Sequence, residues 1–167
     1  MLEVFWTNFF VKKKDGEMKY IKDCPLFAKL SSKELQQLRK ILHRRLYTAG
    51  EIIFKASAGT GMYIILKGSV NILYGSPESQ EESSLISSLK AGDFFGELSL
   101  ANNEPYHRMF AQSATNSQLL AFYKPDLDMV LKTQPAIGIK ILNQLCFILS
   151  HRLKKAEQKI LQIKAEK

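Results

Sequence analysis

Lys90-Ala91-Gly92-Asp93-Phe94-Phe95-Gly96-Glu97-Leu98-Ser99-Leu100-Ala101-Asn102-Asn103-Glu104-Pro105-Tyr106-His107-Arg108 is the stretch on which the reading of this 167-residue chain turns. Two aromatic residues lead into Gly96-Glu97, and a short apolar helix is expected to begin directly after them. A glycine before a helix start lets a ligand approach the backbone closely. The first amides of such a helix, those of Leu98, Ser99 and Leu100, would point outward and suit an anion such as a phosphate. Glu97 stands where it could accept from a sugar hydroxyl. A basic residue returning nearby, His107 or Arg108, would complete the charge balance. The residues thus describe a small phosphate-and-sugar site. A plainer reading of them also stands: Gly96 ends a strand and Glu97 stabilises a helix start.

Working outward, the sequence changes period twice. Ser31-Ser32-Lys33-Glu34 reads as a capping box, and Leu35, Leu38, Ile41 and Leu42 follow at helical spacing. This predicts a helix that fades near Arg44–Arg45, entered through a turn at Asp23-Cys24-Pro25-Leu26-Phe27. From Leu46 to Phe122 short β-rich runs are expected at Glu51–Phe54, Met62–Leu66, Ser69–Tyr74, Leu85–Ser88, Phe110–Ala114 and Gln118–Tyr123. Glycines punctuate them, which suggests an all-β barrel, sandwich or roll. The polar, acidic stretch Gly75–Ser84 reads as a solvated hairpin loop. Past Pro125 the helical period returns, with a short helix over about 125–132. Pro135 suits the first turn of a long last helix over 136–164.

Along that helix Leu142, Cys146, Leu149, Leu153, Ala156, Ile160 and Ile163 alternate by four and three, a heptad seam over about three repeats. Ile141, Leu145 and Ile148 widen the stripe in its first half, where the helix should also pack on its own domain. Past Arg152 the seam narrows and is surrounded by Lys154, Lys155, Lys159 and Lys164. A second copy of the chain is the simplest partner for it, so a homodimer through Leu142, Leu149, Leu153, Ile160 and Ile163 is expected.

The composition is that of an ordinary globular domain, 46% hydrophobic and 24% charged. The formal net charge of +8 raises the question of nucleic acid. Its placement argues for solvated helix faces instead: residues 152–167 hold six Lys/Arg against two Asp/Glu. No second helical domain that could enter a DNA groove is expected after residue 163. Cys24 and Cys146 stand far apart, as reduced thiols of a cytoplasmic protein do. His43, His107 and His151 fall on separate elements, without partners at metal spacing, so no metal site and no catalytic site is expected. The N-terminal run carrying Val4, Phe5, Trp6, Phe9 and Phe10 precedes its lysines. It therefore lacks the order of a signal peptide, and it is about half the roughly 20 residues a membrane span needs. It is expected to pack on the domain or a partner, with membrane contact the lesser reading.

Several segments together resemble the cyclic-nucleotide-binding domain family, as found in bacterial catabolite activator proteins and protein kinase A regulatory subunits. Pro25-Leu26-Phe27 with Leu30-Ser31 resembles the family's opening helix. Thr48-Ala49-Gly50-Glu51-Ile52-Ile53-Phe54 is similar to its first glycine turn and strand. Met62-Tyr63-Ile64-Ile65-Leu66-Lys67-Gly68-Ser69-Val70 is similar to its most recognisable strand pair. Gly92-Asp93-Phe94-Phe95-Gly96-Glu97-Leu98-Ser99-Leu100 resembles the start of its phosphate-binding cassette. The resemblance runs from about residue 21 to 155. It implies a mainly β fold with flanking helices, an eight-stranded, jelly-roll-like β-roll followed by the long C-terminal helix. It also implies a division into an N-terminal extension (1–20), the roll with its flanking helices (21–134) and a dimerisation helix (135–167).

The resemblance assigns roles as well. Gly96 and the amides after it would meet a cyclic phosphate, and Glu97 a ribose 2′-hydroxyl. The ligand implied is cAMP or cGMP, and the function a non-catalytic sensor or regulatory module. The sequence departs from the family at one point. Where the family places an arginine directly after a proline, Pro105 is followed by Tyr106-His107-Arg108. Counting forward from Gly96-Glu97 puts Tyr106 at that position, and counting back from Leu119-Leu120 puts His107 there. Arg108 reaches it only with a shifted loop. Loss of a charge-assisted pair costs about 1.5–3 kcal/mol. Two readings follow, a working cyclic-nucleotide sensor, and a degenerate relative that keeps the fold but binds another anion or a protein partner.

Overall fold

The computed structural model describes residues 16–55, 61–77, 83–101 and 109–165. The N-terminal Phe/Trp run and most of the acidic loop before Ser84 lie outside them. The described residues open with a helix over 16–23, α1, which the sequence patterns do not announce. A 3-10 turn at Pro25–Phe27 leads to α2, Ser32–Arg39. Eight strands follow: β1 His43–Tyr47, β2 Ile52–Lys55, β3 Gly61–Lys67, β4 Ser69–Tyr74, β5 Ser84–Lys90, β6 Phe94–Phe95, β7 Met109–Ser113 and β8 Ser117–Tyr123. The short helix α3, Leu98–Ala101, interrupts them, and α4 (Lys124–Thr133) and α5 (Pro135–Ala165) close the described chain. The strands form two antiparallel four-stranded sheets, ordered β1-β8-β3-β6 and β2-β7-β4-β5. This is the mainly β roll with flanking helices and a long last helix that the sequence led us to expect.

The period-2 geometry of β3 and β8 explains how the layers are joined. Successive side chains of a strand point to opposite faces. Met62, Ile64 and Leu66 of β3, with Leu120 and Phe122 of β8, face the helices and join Leu26, Phe27, Leu38, Leu127, Val130, Ile141 and Leu145 in one buried cluster. The alternate residues Tyr63, Ile65, Leu119 and Ala121 face the inside of the roll, where Ile53, Val70, Phe95 and Ala111 meet them. Both faces of β3 are therefore buried, which is why Met62–Leu66 reads as an unbroken apolar run instead of alternating. Each fully buried side chain of this size contributes about 1.5–3 kcal/mol.

Two expectations are corrected here. The first helix ends at Arg39 and not near Arg44–Arg45. His43–Tyr47 instead forms β1, whose register against β8 runs from His43 opposite Ala121 to Tyr47 opposite Ser117. Tertiary pairing overrides the helical spacing of Ile41 and Leu42, which remain partly buried against the helical core. The second is the two-residue strand β6, which the sequence reading left unassigned. Tyr63 opposite Phe95 and Ile64 opposite Phe94 place it beside β3.

The capping box is present: Ser31 N donates to Glu34 Oε2 at 2.7 Å and Glu34 N donates to Ser31 Oγ at 3.4 Å. The same carboxylate accepts from Lys140 Nζ of α5 at 2.7 and 2.9 Å, so it fastens α2 to the long helix. Gly138 permits the α4–α5 crossing, since a Cβ there would stand 2.6 Å from Leu131 Cδ2. Asp126 joins β1 to the start of α4, lying 3.1 Å from His43 Nε2 and accepting from Tyr123 N at 2.9 Å.

Two outcomes test this architecture. Hydrogen bonds from Lys140, then from Ser31, hold the Glu34 carboxyl down to about 2 from its ordinary 4.5. A group whose folded value is depressed stabilises the fold above its unfolded value and loses that contribution as pH falls through the folded one. Thermal unfolding followed by circular dichroism should therefore show wild type losing melting temperature more steeply than Glu34→Gln between pH 4.5 and 2; parallel curves would refute the coupling. Gly96 and Gly92 provide the second test, with φ of +80° and +97°. Open space surrounds a Cβ at Gly92, whereas one at Gly96 would meet the Gly61 carbonyl oxygen at 2.7 Å. Gly92→Ala should cost about 1–2 kcal/mol of left-handed strain. Gly96→Ala should melt several degrees lower still, because backbone must also move, and equal melting temperatures would contradict the β6–β3 approach.

Candidate functional site

β6 delivers Phe94 and Phe95 to opposite sides, Phe95 into the roll and Phe94 toward the helical layer. The chain then turns at Gly96 and enters α3, so Gly96, Glu97, Leu98 and Ser99 fall together on the wall of one cavity of about 340 Å³. Its apolar floor comes from both sheets. Phe54 and Phe95 stack there, with ring centroids 6.0 Å apart, and both rings also stack on Tyr63 of β3. Ile72, Leu89 and Met109 complete the apolar lining. A mostly apolar recess with a few convergent polar groups has the chemistry of a small-molecule site.

Glu97 is the polar centre of this cavity and is only 1% exposed. A buried carboxylate needs a countercharge and hydrogen bonds. One partner is supplied by α5: Arg152 Nη1 donates to Glu97 Oε1. The guanidinium also lies over the Phe94 ring, 5.6 Å from its centroid, a distance at which a cation–π contact is favourable. Glu97 Oε2, equally buried, has no hydrogen-bond partner among the described residues. Among the described residues lining the cavity, Arg152 is the one cation.

The structure therefore brings together four of the six site residues expected from the sequence, Gly96, Glu97, Leu98 and Ser99. The other two, His107 and Arg108, lie with Tyr106 outside the described residues. One detail of the expectation is corrected. The amides of Ser99 and Leu100 are not free, because they donate to the Gly96 and Glu97 carbonyls at 3.0 and 3.1 Å as α3 closes its own turn. What remains available is the buried carboxylate, and not a row of helix-start amides.

Arg152 is the site residue that the sequence reading missed. A signal for it existed. Ile141, Leu145 and Ile148 are the buried stripe of α5, and continuing their alternation of four and three adds four to reach Arg152. A basic residue on that stripe, one turn beyond the core, either finds a buried acceptor or turns its charge to solvent.

Of the two cysteines, Cys24 is buried and Cys146 exposed. Burial pushes the Cys24 thiol up to about 12, which makes it a poor nucleophile. No group of three or more His, Cys, Asp or Glu suited to a metal ion occurs among the described residues, and none of their helices is long and apolar enough to cross a membrane.

Known proteins share the sequence pattern and the fold. A cyclic nucleotide-gated potassium channel of Rhizobium etli is 32% identical over 115 residues, covering 68% of this chain and 30% of the channel. A cAMP-dependent protein kinase regulatory subunit of Mycosarcoma maydis is 34% identical over 88 residues, 52% of this chain and 16% of that protein. The chain thus spans less than a third of the length of either relative. Among solved structures, the catabolite activator protein of Thermus thermophilus superposes with a TM-score of 0.70 at 25% identity, over 84% of this chain and 63% of that one. A cyclic nucleotide-binding domain from Methylobacillus flagellatus shares the fold, with a TM-score of 0.72 at 20% identity over 90% and 84% of the two chains. The sequence pattern of the cyclic nucleotide-binding domain matches residues 44–134, more than half of the chain, and this protein belongs to that family.

Proposed function

We propose that the protein is a non-catalytic regulatory module that binds a cyclic purine nucleotide, cAMP or cGMP, in the cavity beside Gly96–Ser99. The observation that carries this reading is the buried carboxylate of Glu97, a residue of the cavity wall, with one oxygen paired and the other without a partner among the described residues. An unsatisfied buried acceptor is costly, about 1–3 kcal/mol, and a ligand hydroxyl donating to Oε2 would recover that energy. The apolar floor suits a purine, and the nearby Arg152, with His107 or Arg108 from the stretch of sequence after α3, would balance a phosphate. The chain's resemblance to a cyclic nucleotide-gated channel and to a cAMP-dependent kinase regulatory subunit supports the same ligand class.

The second half of the proposal is a homodimer through α5, with residues 135–167 as the dimerisation unit, the roll with its flanking helices at 21–134 and residues 1–20 as an extension. Leu142 and Leu149 pack partly against the helical core. Farther along, Leu153, Ile160 and Ile163 are 61, 54 and 51% exposed. They retain the heptad spacing of a seam that a second copy would cover. Such a module would act in the cytoplasm, and ligand in the roll would be transmitted through the hinge between α4 and α5.

Calorimetric titration with cAMP and cGMP, with linear AMP as control, tests the ligand. Micromolar or tighter binding of a cyclic form is expected, and Arg108→Ala should weaken it far more than Lys124→Ala. Absence of binding at millimolar ligand would favour the degenerate reading, a fold kept for another anion or a protein partner. The dimer has a separate test. In a parallel pair Cys146, on the seam, meets its copy, so diamide should oxidise the two thiols to one disulfide. Non-reducing electrophoresis should then show a covalent dimer in wild type and none in Cys146→Ser, while Cys24 stays unreacted. A wild-type monomer under these conditions would rule out the parallel seam.

A further inference from the structure

The Glu97–Arg152 pair is incomplete at both of its ends. Glu97 is buried, yet one of its two oxygens lacks a donor among the described residues. A carboxylate has about four acceptor sites, and such an orphan in a native fold calls for an explanation. Arg152, in turn, carries five N–H donors in a planar fork. Its side chain is about half exposed, and it lines the same cavity as the carboxylate. One end of the pair therefore calls for a hydrogen-bond donor and the other for an acceptor, and both residues belong to the wall of the same cavity.

Arg152 is also the last point at which α5 touches its own domain by a buried contact. The buried stripe ends at Ile148, and every described residue from His151 to Ala165 is exposed. Beyond the core, the guanidinium holds α5 to the roll through Glu97 and the Phe94 ring. Whatever changes the partner of Arg152 acts directly on the part of α5 that carries Leu153, Ile160 and Ile163.

We infer that Arg152 is a specificity-determining residue of the site: a ligand carrying both a hydroxyl and an anionic group inserts into the Glu97–Arg152 ion pair, its hydroxyl donating to Glu97 and its anion accepting from Arg152. This rests on the proposed nucleotide site and names what that site selects. A neutral ligand must break or crowd the pair and offers the guanidinium no replacement, whereas an anion does. The cation that discriminates charge is thus supplied by α5, which ties ligand charge to the position of the helix. Arg suits this role better than Lys because its fork can pair with two oxygens at once.

Binding of cAMP and of uncharged adenosine, the latter read by competition, separates the possibilities in wild type, Arg152→Gln, Arg152→Lys, Glu97→Gln and the double variant Glu97→Gln/Arg152→Gln. The double variant leaves no buried charge unpaired, so it guards against a simple folding failure, and melting temperatures accompany each titration. Arg152→Gln should weaken cAMP about tenfold to a hundredfold while adenosine binds as well as before or better. Arg152→Lys should lose less than Arg152→Gln. Glu97→Gln/Arg152→Gln should bind cAMP more weakly than Glu97→Gln alone. Equal losses for cAMP and adenosine, or an unchanged cAMP affinity in Arg152→Gln, would overturn the assignment of Arg152 and leave the nucleotide site standing. Wild-type protein that binds no cyclic nucleotide would overturn the site itself, and this inference with it.

Discussion

Burial of β3 and β8 on both faces is the constraint on which the rest of the molecule depends. A strand with one wet face can sit at a surface; these two cannot. Met62, Ile64, Leu120 and Phe122 require a helical layer above them, and Tyr63, Ile65, Leu119 and Ala121 require a second sheet below. Six of those eight side chains, Met62, Ile64, Ile65, Leu119, Ala121 and Phe122, are 0–1% exposed. The helices are thus held to the roll by the very strands that form its wall. Close-packed interiors of this kind transmit displacement instead of absorbing it.

The site follows from that geometry. β6 pairs with β3 over only two residues, and the chain leaves it at Gly96, in a backbone conformation that places Gly96 against the Gly61 carbonyl. This turns Glu97 inward. A carboxylate would not remain there unaided, because removing it from water costs several kcal/mol. Arg152 offsets part of that cost from the far end of the chain. It keeps its own contact with water, so only one of the two ions is fully desolvated. The arrangement is tolerable energetically and leaves a polar group facing an apolar recess.

α5 consequently carries two stripes with different tasks. One runs through Ile137, Ile141, Leu145 and Ile148 into the core and ends at Arg152. The other runs outward through Cys146, Leu153, Ile160 and Ile163, and its covering by a second copy is what we propose. Arg152 and Leu153 are neighbours in sequence, one turned toward the cavity and the other to solvent. Occupancy of the cavity and the pose of the seam are thereby mechanically adjacent. The basic charge that surrounds the seam serves a solvated helix in this arrangement, as the placement of Lys154, Lys155, Lys159 and Lys164 suggests.

The sequence by itself determined what local patterns determine. Short β-rich runs punctuated by glycines marked six of the eight strands, Ser31–Glu34 marked a helix start, and Pro135 marked the beginning of the long helix. The Gly92–Leu100 run pointed to the cavity wall. Tertiary structure decided the remainder. His43-Arg44-Arg45 carries no strand pattern, and it is extended because β8, more than 70 residues later, pairs with it. The two residues of β6 are too few to show a period. Arg152 reads as one more lysine-or-arginine on a solvated helix until the fold places it against Glu97, 55 residues away. Helix caps, turns and periodicity are written in neighbouring residues, whereas strand pairing and the partner of a buried charge depend on which distant residues the packed core brings within reach.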